Sequence, residues 1–269
     1  MASGFIVIVI KSLEWNGIRM QTVSQTGGSW YKFATPVNFL PLADKLIPVL
    51  GVLTVILTVV GMVIGFFVAP TDATQGDSYR IIFLHVPAAW MSMVIYLAMA
   101  FWAGVGLVFN TRLASMLATA LAPTGASFTF LALLTGSLWG KPTWGAWWVW
   151  DARLTSELIL LFLYIGFMAL QASIDDARRA DRAGAVLALV GVVNVPIIYF
   201  SVKWWNTLHQ GASVSMAGGS KMAIIMLWGM LIMALAFWAY SIMTALMRVR
   251  CIVLEREQHA DWVRQYLKL

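Results

Sequence analysis

Cysteine and charge are what this chain has least of. A single cysteine, Cys251, in 269 residues excludes an intrachain disulfide, a CxxC redox pair, a thiolate metal cluster and a CxxCH covalent attachment site. Charged residues make up 11% of the chain, against about 25% in an average soluble domain, too few to cover a water-exposed globule. No GxxxxGK[ST] phosphate loop occurs, so nucleotide hydrolysis of that kind is not a function of this chain. Histidine stops at three, with no HxxxH or His-x-His spacing, which argues against a mononuclear zinc site. No internal repeat or low-complexity run is evident.

Apolar residues, 61% of the total, fill the space left by the missing charge. A bilayer core about 30 Å thick takes around 20 apolar residues in a helix, and six stretches meet that demand: Leu46 to Val68, Val86 to Phe109, Ser115 to Leu138, Ser156 to Ala172, Gly184 to Val202 and Met222 to Met247. Lipid leaves no water to pair backbone groups, so such runs are helical, and period-2 barrel strands are absent. The expected fold is an all-α polytopic membrane protein, a six-helix bundle with a Trp-rich loop at one end. Pro196, in "GVVNVPIIYF", is expected to kink the fifth helix, with Asn194 repairing a freed backbone group.

The formal charge of +6 reflects membrane topology rather than nucleic-acid binding, because the basic residues are spread over short loops. With the N-terminus inside, one side collects Lys11, Arg19, Lys32, Lys45, Arg112, Arg178, Arg179, Arg182, Arg248, Arg250, Arg256, Arg264 and Lys268, thirteen in all, and the other keeps five: Arg80, Lys141, Arg153, Lys203 and Lys221. The positive-inside rule then places both termini in the cytoplasm and the Trp-rich loop outside. Residues 1–45 read as a cytoplasmic arm in which "GFIVIVI" is too short for a signal peptide. Residues 46–247 form the membrane domain with its loop at 139–155, and 248–269 form an amphipathic cytoplasmic tail.

Two of the histidines, His85 and His209, fall on the outer side, before and after the Trp loop, whereas His259 falls in the tail. Pro87 is expected to be the first helical residue of its span, leaving His85 just before it. In "VKWWNTLHQG", a helical reading puts Trp205 and His209 on one face. Two well-separated imidazoles without close companions suit a planar macrocycle that brings four nitrogens of its own and leaves two axial positions. The loop "WGKPTWGAWWVWDARLTSE" packs Trp139, Trp144, Trp147, Trp148 and Trp150 into twelve residues before Asp151. An interfacial aromatic belt spreads its indoles over many helix ends, so this density points to a ligand or partner surface. Read as a helix from Pro142, the segment lines up Trp144, Trp147, Trp148 and Asp151 on one face. Indole offers apolar area with a polar N–H; Lys141 and Arg153 are placed to meet haem propionates, and Asp151 to accept N–H bonds that fix the loop. Glu157, early in its helix, reads as a structural residue favoured by the helix dipole.

The stretch "WGKPTWGAWWVWDARLTSELILLFLY", together with "SYRIIFLHVPAAW" and "VKWWNTLHQG", resembles the tryptophan-rich WWD haem-handling family of cytochrome c biogenesis, and in length and helix number its shorter, six-helix branch. The resemblance covers roughly residues 40 to 250 and implies a bacterial inner-membrane protein, or the mitochondrial equivalent, with a periplasmic haem site. It implies that His85 and His209 are axial ligands of a non-covalent b-type haem, and that the Trp loop docks the haem edge. Implied partners are a periplasmic haem chaperone that receives the haem, a pair of ABC transporter-like subunits that hydrolyse ATP, and a small single-span protein. A transfer platform, rather than a conventional catalytic site, is the expected function. A transmembrane haem permease and a bis-histidine electron-transfer cytochrome are the alternatives; against the first, the expected helices carry no ionisable residue near mid-membrane.

Overall fold

The computed structural model describes residues 35–267 apart from 210, 212, 213, 216–218 and 221. The "GFIVIVI" segment and the basic positions Lys11, Arg19, Lys32, Lys221 and Lys268 lie outside the described residues. Six helical segments are long and apolar enough to cross a membrane, at Pro36–Val68, Asp77–Phe109, Arg112–Trp144, Ala152–Ala172, Ala177–Trp204 and Ile224–Arg256. The chain is a polytopic all-α membrane protein. Besides helices, the described residues contain a two-residue antiparallel pairing, β1 (Val214–Ser215) with β2 (Gly219–Ser220).

Helix α1 (Pro36–Val63) starts at Pro36 rather than Leu46, because proline at the first helical position has its φ already set and needs no N–H partner. The charges that mark the later boundary in the sequence are accommodated within the helix: Asp44 pairs with Arg250 at 3.3 Å and accepts a hydrogen bond from the Tyr266 hydroxyl. A π turn, Ile64–Val68, and a 3-10 turn, Asp77–Ile81, lead into α2 (Ile82–Phe109). Asn110, at φ 51°, makes the tight reversal into α3 (Arg112–Trp144), so α2 and α3 run antiparallel and share the most extensive helix contact in the bundle.

Helix α4 (Ala152–Ala172) is capped by Asp151, and α5 (Ala177–Gly191) by Asp176, each carboxylate accepting a backbone N–H at 2.8 Å. Near Pro196 the regular helix is interrupted within one span: α5 ends at Gly191, Val192 and Val193 form a turn that keeps helical backbone angles, φ −57° and −60°, and α6 (Asn194–Trp204) continues. Pro196 has no N–H to offer the carbonyl of Val192, which is taken instead by the N–H of Val195 at 3.1 Å. Asn194 bridges outward, donating from Nδ2 to the carbonyl of Ser156 at 2.9 Å.

Helix α7 (Ile224–Arg256) returns across the bundle, and α8 (Asp261–Leu267) folds its amphipathic face back, with Val263 buried. Trp262 and Tyr266 pack with Leu40, Met116 and Val253. The main core lies among α2, α3, α4, α5 and α6, around Tyr96, Tyr164, Phe167, Met99 and Ile198. Helix α1 stands outside it, packed chiefly on α7, and leaves Val49, Val52, Val55, Ile56 and Val59 exposed, a face suited to lipid.

Candidate functional site

The α2 start, the α3 end, the α4 start and the chain after α6 all meet at one end of the bundle, around an open cavity of about 920 Å³ including its mouth. His85 and His209 both line it. Their ring centres stand 6.2 Å apart with planes inclined by 35°.

His85 lies inside α2, not ahead of it. The 3-10 turn starts the span at Asp77, and Pro87 falls at an interior helical position, where it merely leaves the Phe83 carbonyl without its usual partner. The ring is therefore sunk below the helix end, 8% exposed. Its Nδ1 lies 3.1 Å from the carbonyl oxygen of Ala132 and 3.1 Å from Thr135 Oγ1. A carbonyl can only accept, so Nδ1 carries the proton and Nε2 keeps the lone pair. Gly136 makes room for this placement: a Cβ there would stand 3.0 Å from His85 Cε1.

His209 follows α6, whose helix stops at Trp204, so the expected shared helical face of Trp205 and His209 does not form. The backbone N–H of His209 donates to Thr207 Oγ1 at 3.1 Å, and the Thr207 hydroxyl donates to Asp151 Oδ2. Asp151 Oδ1 accepts the N–H of Leu154. One carboxylate thus caps α4 and fastens the turn that carries His209.

The Trp loop is not a helix beyond Trp144. Gly145, at φ 78°, ends α3 in the left-handed conformation, and residues 145–151 are irregular. The indoles consequently part company. Trp139 and Trp144 line the cavity; Trp139 meets the His85 ring edge-on at 5.7 Å and Trp144 meets His209 at 6.2 Å. The Trp139 Nε1 donates to Gln75 Oε1 at 2.8 Å, and Gln75 is itself held by a turn in which Asp72 Oδ1 accepts the N–H groups of Thr74 and Gln75. Trp147 and Trp150 face outward, 54% and 78% exposed, and Trp148 packs edge-on against Trp150 at 5.5 Å, its Nε1 buried without a hydrogen-bond partner among the described residues. Lys141 turns away from the cavity to the carbonyl of Gly145 at 3.2 Å and to the Trp147 ring. Arg153 lines the cavity and donates from Nη1 to the carbonyl of Ile198 at 3.2 Å.

Three lining residues carry no distinctive sequence signal: Gln75, Gly136 and Glu157. Glu157, 7% exposed, accepts a hydrogen bond from Ser92 Oγ at 2.7 Å, so it is more than a carboxylate favoured by a helix dipole. It lines the cavity one turn along α4 from the guanidinium of Arg153. Among the described residues no three His, Cys, Asp or Glu side chains gather as a metal cluster. The two imidazoles suit a metal whose remaining positions are filled by its own macrocycle.

A family model described as Heme exporter protein C matches residues 29–264. The Heme exporter protein C of Escherichia coli strain K12 is 48% identical over 238 residues, which covers 88% of this chain and 96% of the relative. That of Bradyrhizobium diazoefficiens is 50% identical over 223 residues, 83% of this chain and 84% of the relative. A putative cytochrome c biosynthesis ccmC-like mitochondrial protein of Marchantia polymorpha is 48% identical over 164 residues, 61% of this chain and 69% of the relative.

Proposed function

The chain belongs to the haem exporter protein C family, with the role in haem handling for cytochrome c maturation which that membership supports, and on that premise we propose that His85 and His209 ligate haem iron at the periplasmic face and release the haem to a membrane-anchored chaperone. The observation that carries this reading is the convergence of the two imidazoles on one cavity, with ring centres 6.2 Å apart. Two imidazoles on opposite sides of one metal, bonded through nitrogen at about 2 Å, have ring centres roughly 6 Å apart. His85 has the expected ligand tautomer, its Nδ1–H given to a backbone carbonyl and Nε2 left for the iron.

The remaining wall suits the rest of the group. Trp139 and Trp144 offer edges and faces to an apolar macrocycle, and Arg153 offers a guanidinium to a propionate. Arg153 is the cation on the described lining, so the cavity favours one orientation, with a single carboxylate at Arg153 and the other toward the open mouth. Trp147 and Trp150, exposed beside that mouth, form the surface on which the chaperone lands. Haem here is cargo: the iron accepts two nitrogen ligands, and the protein performs no bond-making on the porphyrin. Cytochrome c maturation needs release as well as capture, and a cavity whose second ligand sits on a short irregular segment meets both needs. ABC transporter-like subunits and a small single-span protein complete the proposed assembly in the bacterial inner membrane.

The test is a visible spectrum and haem stain of the purified protein. Wild type is expected to carry a low-spin, non-covalent b-type haem. His85→Ala and His209→Ala should each alter the spectrum, and an unchanged low-spin spectrum in both rules out the ligand assignment.

A further inference from the structure

At the opposite end of the bundle from the histidines, a second cavity of about 820 Å³ including its mouth opens where the α2–α3 turn meets the first turns of α5. Its lining is unusually cationic. Arg112 comes from the first residue of α3, and Arg178 and Arg182 come from one face of α5. None of the three guanidiniums has an ion-pair partner among the described residues. The acid on the wall, Asp181, is already neutralised, because both of its oxygens accept from Arg256, at 2.8 and 3.0 Å. Asp176 caps α5 through the N–H of Arg179 and does not line the cavity.

The N-terminus of α3, a helix of 33 residues, opens into the same space. Thr111 at its N-cap makes no side-chain capping bond, so the positive end of the helix dipole is not quenched by a side-chain oxygen. Three guanidiniums and a helix start around one concavity form a complementary surface for a tetrahedral oxyanion, which Arg binds through forked N–H pairs. Beside the cavity the surface turns apolar: Val108 and Phe109 at the end of α2 are 70% and 69% exposed, and Val186 and Val190 on α5 are exposed as well. A phosphate at the rim with hydrocarbon against the adjoining helix faces is the chemistry of an anionic phospholipid.

We propose that this cavity binds a phosphate group, carried by an anionic lipid headgroup or by a free phosphate. The two sources separate in one experiment on the purified full-length chain in detergent. Native mass spectrometry with equal amounts of phosphatidylglycerol and phosphatidylcholine should show the anionic lipid retained roughly tenfold better. The preference should fall to parity in R112Q/R178Q/R182Q and survive in R179Q, whose side chain lies off the cavity. In a parallel arm, inorganic phosphate at millimolar concentration raises the unfolding temperature of wild type if the ligand is a free phosphate, and this protection too is lost in the triple variant. Should the triple variant fail to fold, Arg178→Gln alone lowers the preference by a few-fold, while Arg178→Lys keeps most of it. Equal retention of both lipids with no protection by phosphate overturns the proposal, as does a lipid preference that survives the triple substitution.

Discussion

Gly136 separates a role in the site from a role in the bundle. Replacing a mid-helix glycine with alanine stabilises a helix by roughly 0.5–1 kcal/mol, yet the added Cβ would press on His85 Cε1 at 3.0 Å. Gly136→Ala should therefore leave the unfolding midpoint unchanged or raised while displacing the imidazole, read as a weakened or shifted low-spin haem spectrum. A normal spectrum in that variant would show that His85 needs no such clearance. Asp151 divides in the same way. Asp151→Ala removes the cap of α4, at a cost of about 1 kcal/mol, and also frees the Thr207 turn that carries His209. Thr207→Val keeps the cap, so it should reproduce the spectral change without the loss of stability in a thermal melt.

Among helices and loops, the decisive positions are the ends. Gly145 holds φ 78° where the Trp loop leaves α3, and Gly145→Ala should cost about 1 kcal/mol in the left-handed region and redirect Trp147 and Trp150 together. Impaired delivery to the chaperone with haem binding retained is the expected pattern, measured by chaperone haem loading against the spectrum. Inside the bundle, the Tyr96 hydroxyl is fully buried against Gly191 at the α5–α6 break and has no hydrogen-bond partner among the described residues. Tyr96→Phe deletes an unsatisfied polar group and should leave stability unchanged or raise it by about 1 kcal/mol; a clear loss in chemical unfolding would mean that the hydroxyl has a partner at the break. These ends also mark where the sequence stopped being legible. The six spans stand out because hydrophobic length is a local property, whereas a helix end depends on neighbours. The start of α1 turns on an aspartate answered by Arg250 and Tyr266. The turn that keeps the Trp loop from being helical is set by one left-handed glycine. Glu157 reads as structural because its partner, Ser92, is 65 residues away. The histidines and indoles were legible as a group, since their rarity and density are visible in the chain itself; which indoles face the cavity was not.

For the whole molecule, orientation is the property most open to test. The single cysteine, Cys251, is exposed near the end of α7, at the end of the bundle opposite the histidines. In the proposed topology, which follows the positive-inside rule, that end with its excess of basic residues faces the cytoplasm. A membrane-impermeant maleimide should label Cys251 in inverted vesicles and spare it in intact spheroplasts, and Trp150→Cys in a Cys251→Ser background should give the reverse. Labelling of Cys251 from outside would invert the proposed topology and move the haem site to the cytoplasm.

The break at Val192 and Val193 has a mechanical result. Beyond it, α6 and the turn that follows are tied to α4 and its cap three times, by Arg153 to Ile198, Asn194 to Ser156, and Thr207 to Asp151. His85 belongs to the opposite wall, braced by α3. The two imidazoles are therefore carried by different elements, His85 by α2 and His209 by the segment that follows α6. An arm of 11 residues at about 1.5 Å per residue is a lever roughly 16 Å long, and turning it by about 5° at its root shifts its tip by more than 1 Å. Under the proposed ligation a shift of that size would part a nitrogen from the iron, so the three bonds that pin α6 and its following turn to α4 and its cap hold the angle at Val192 and Val193 on which the grip on the cargo depends.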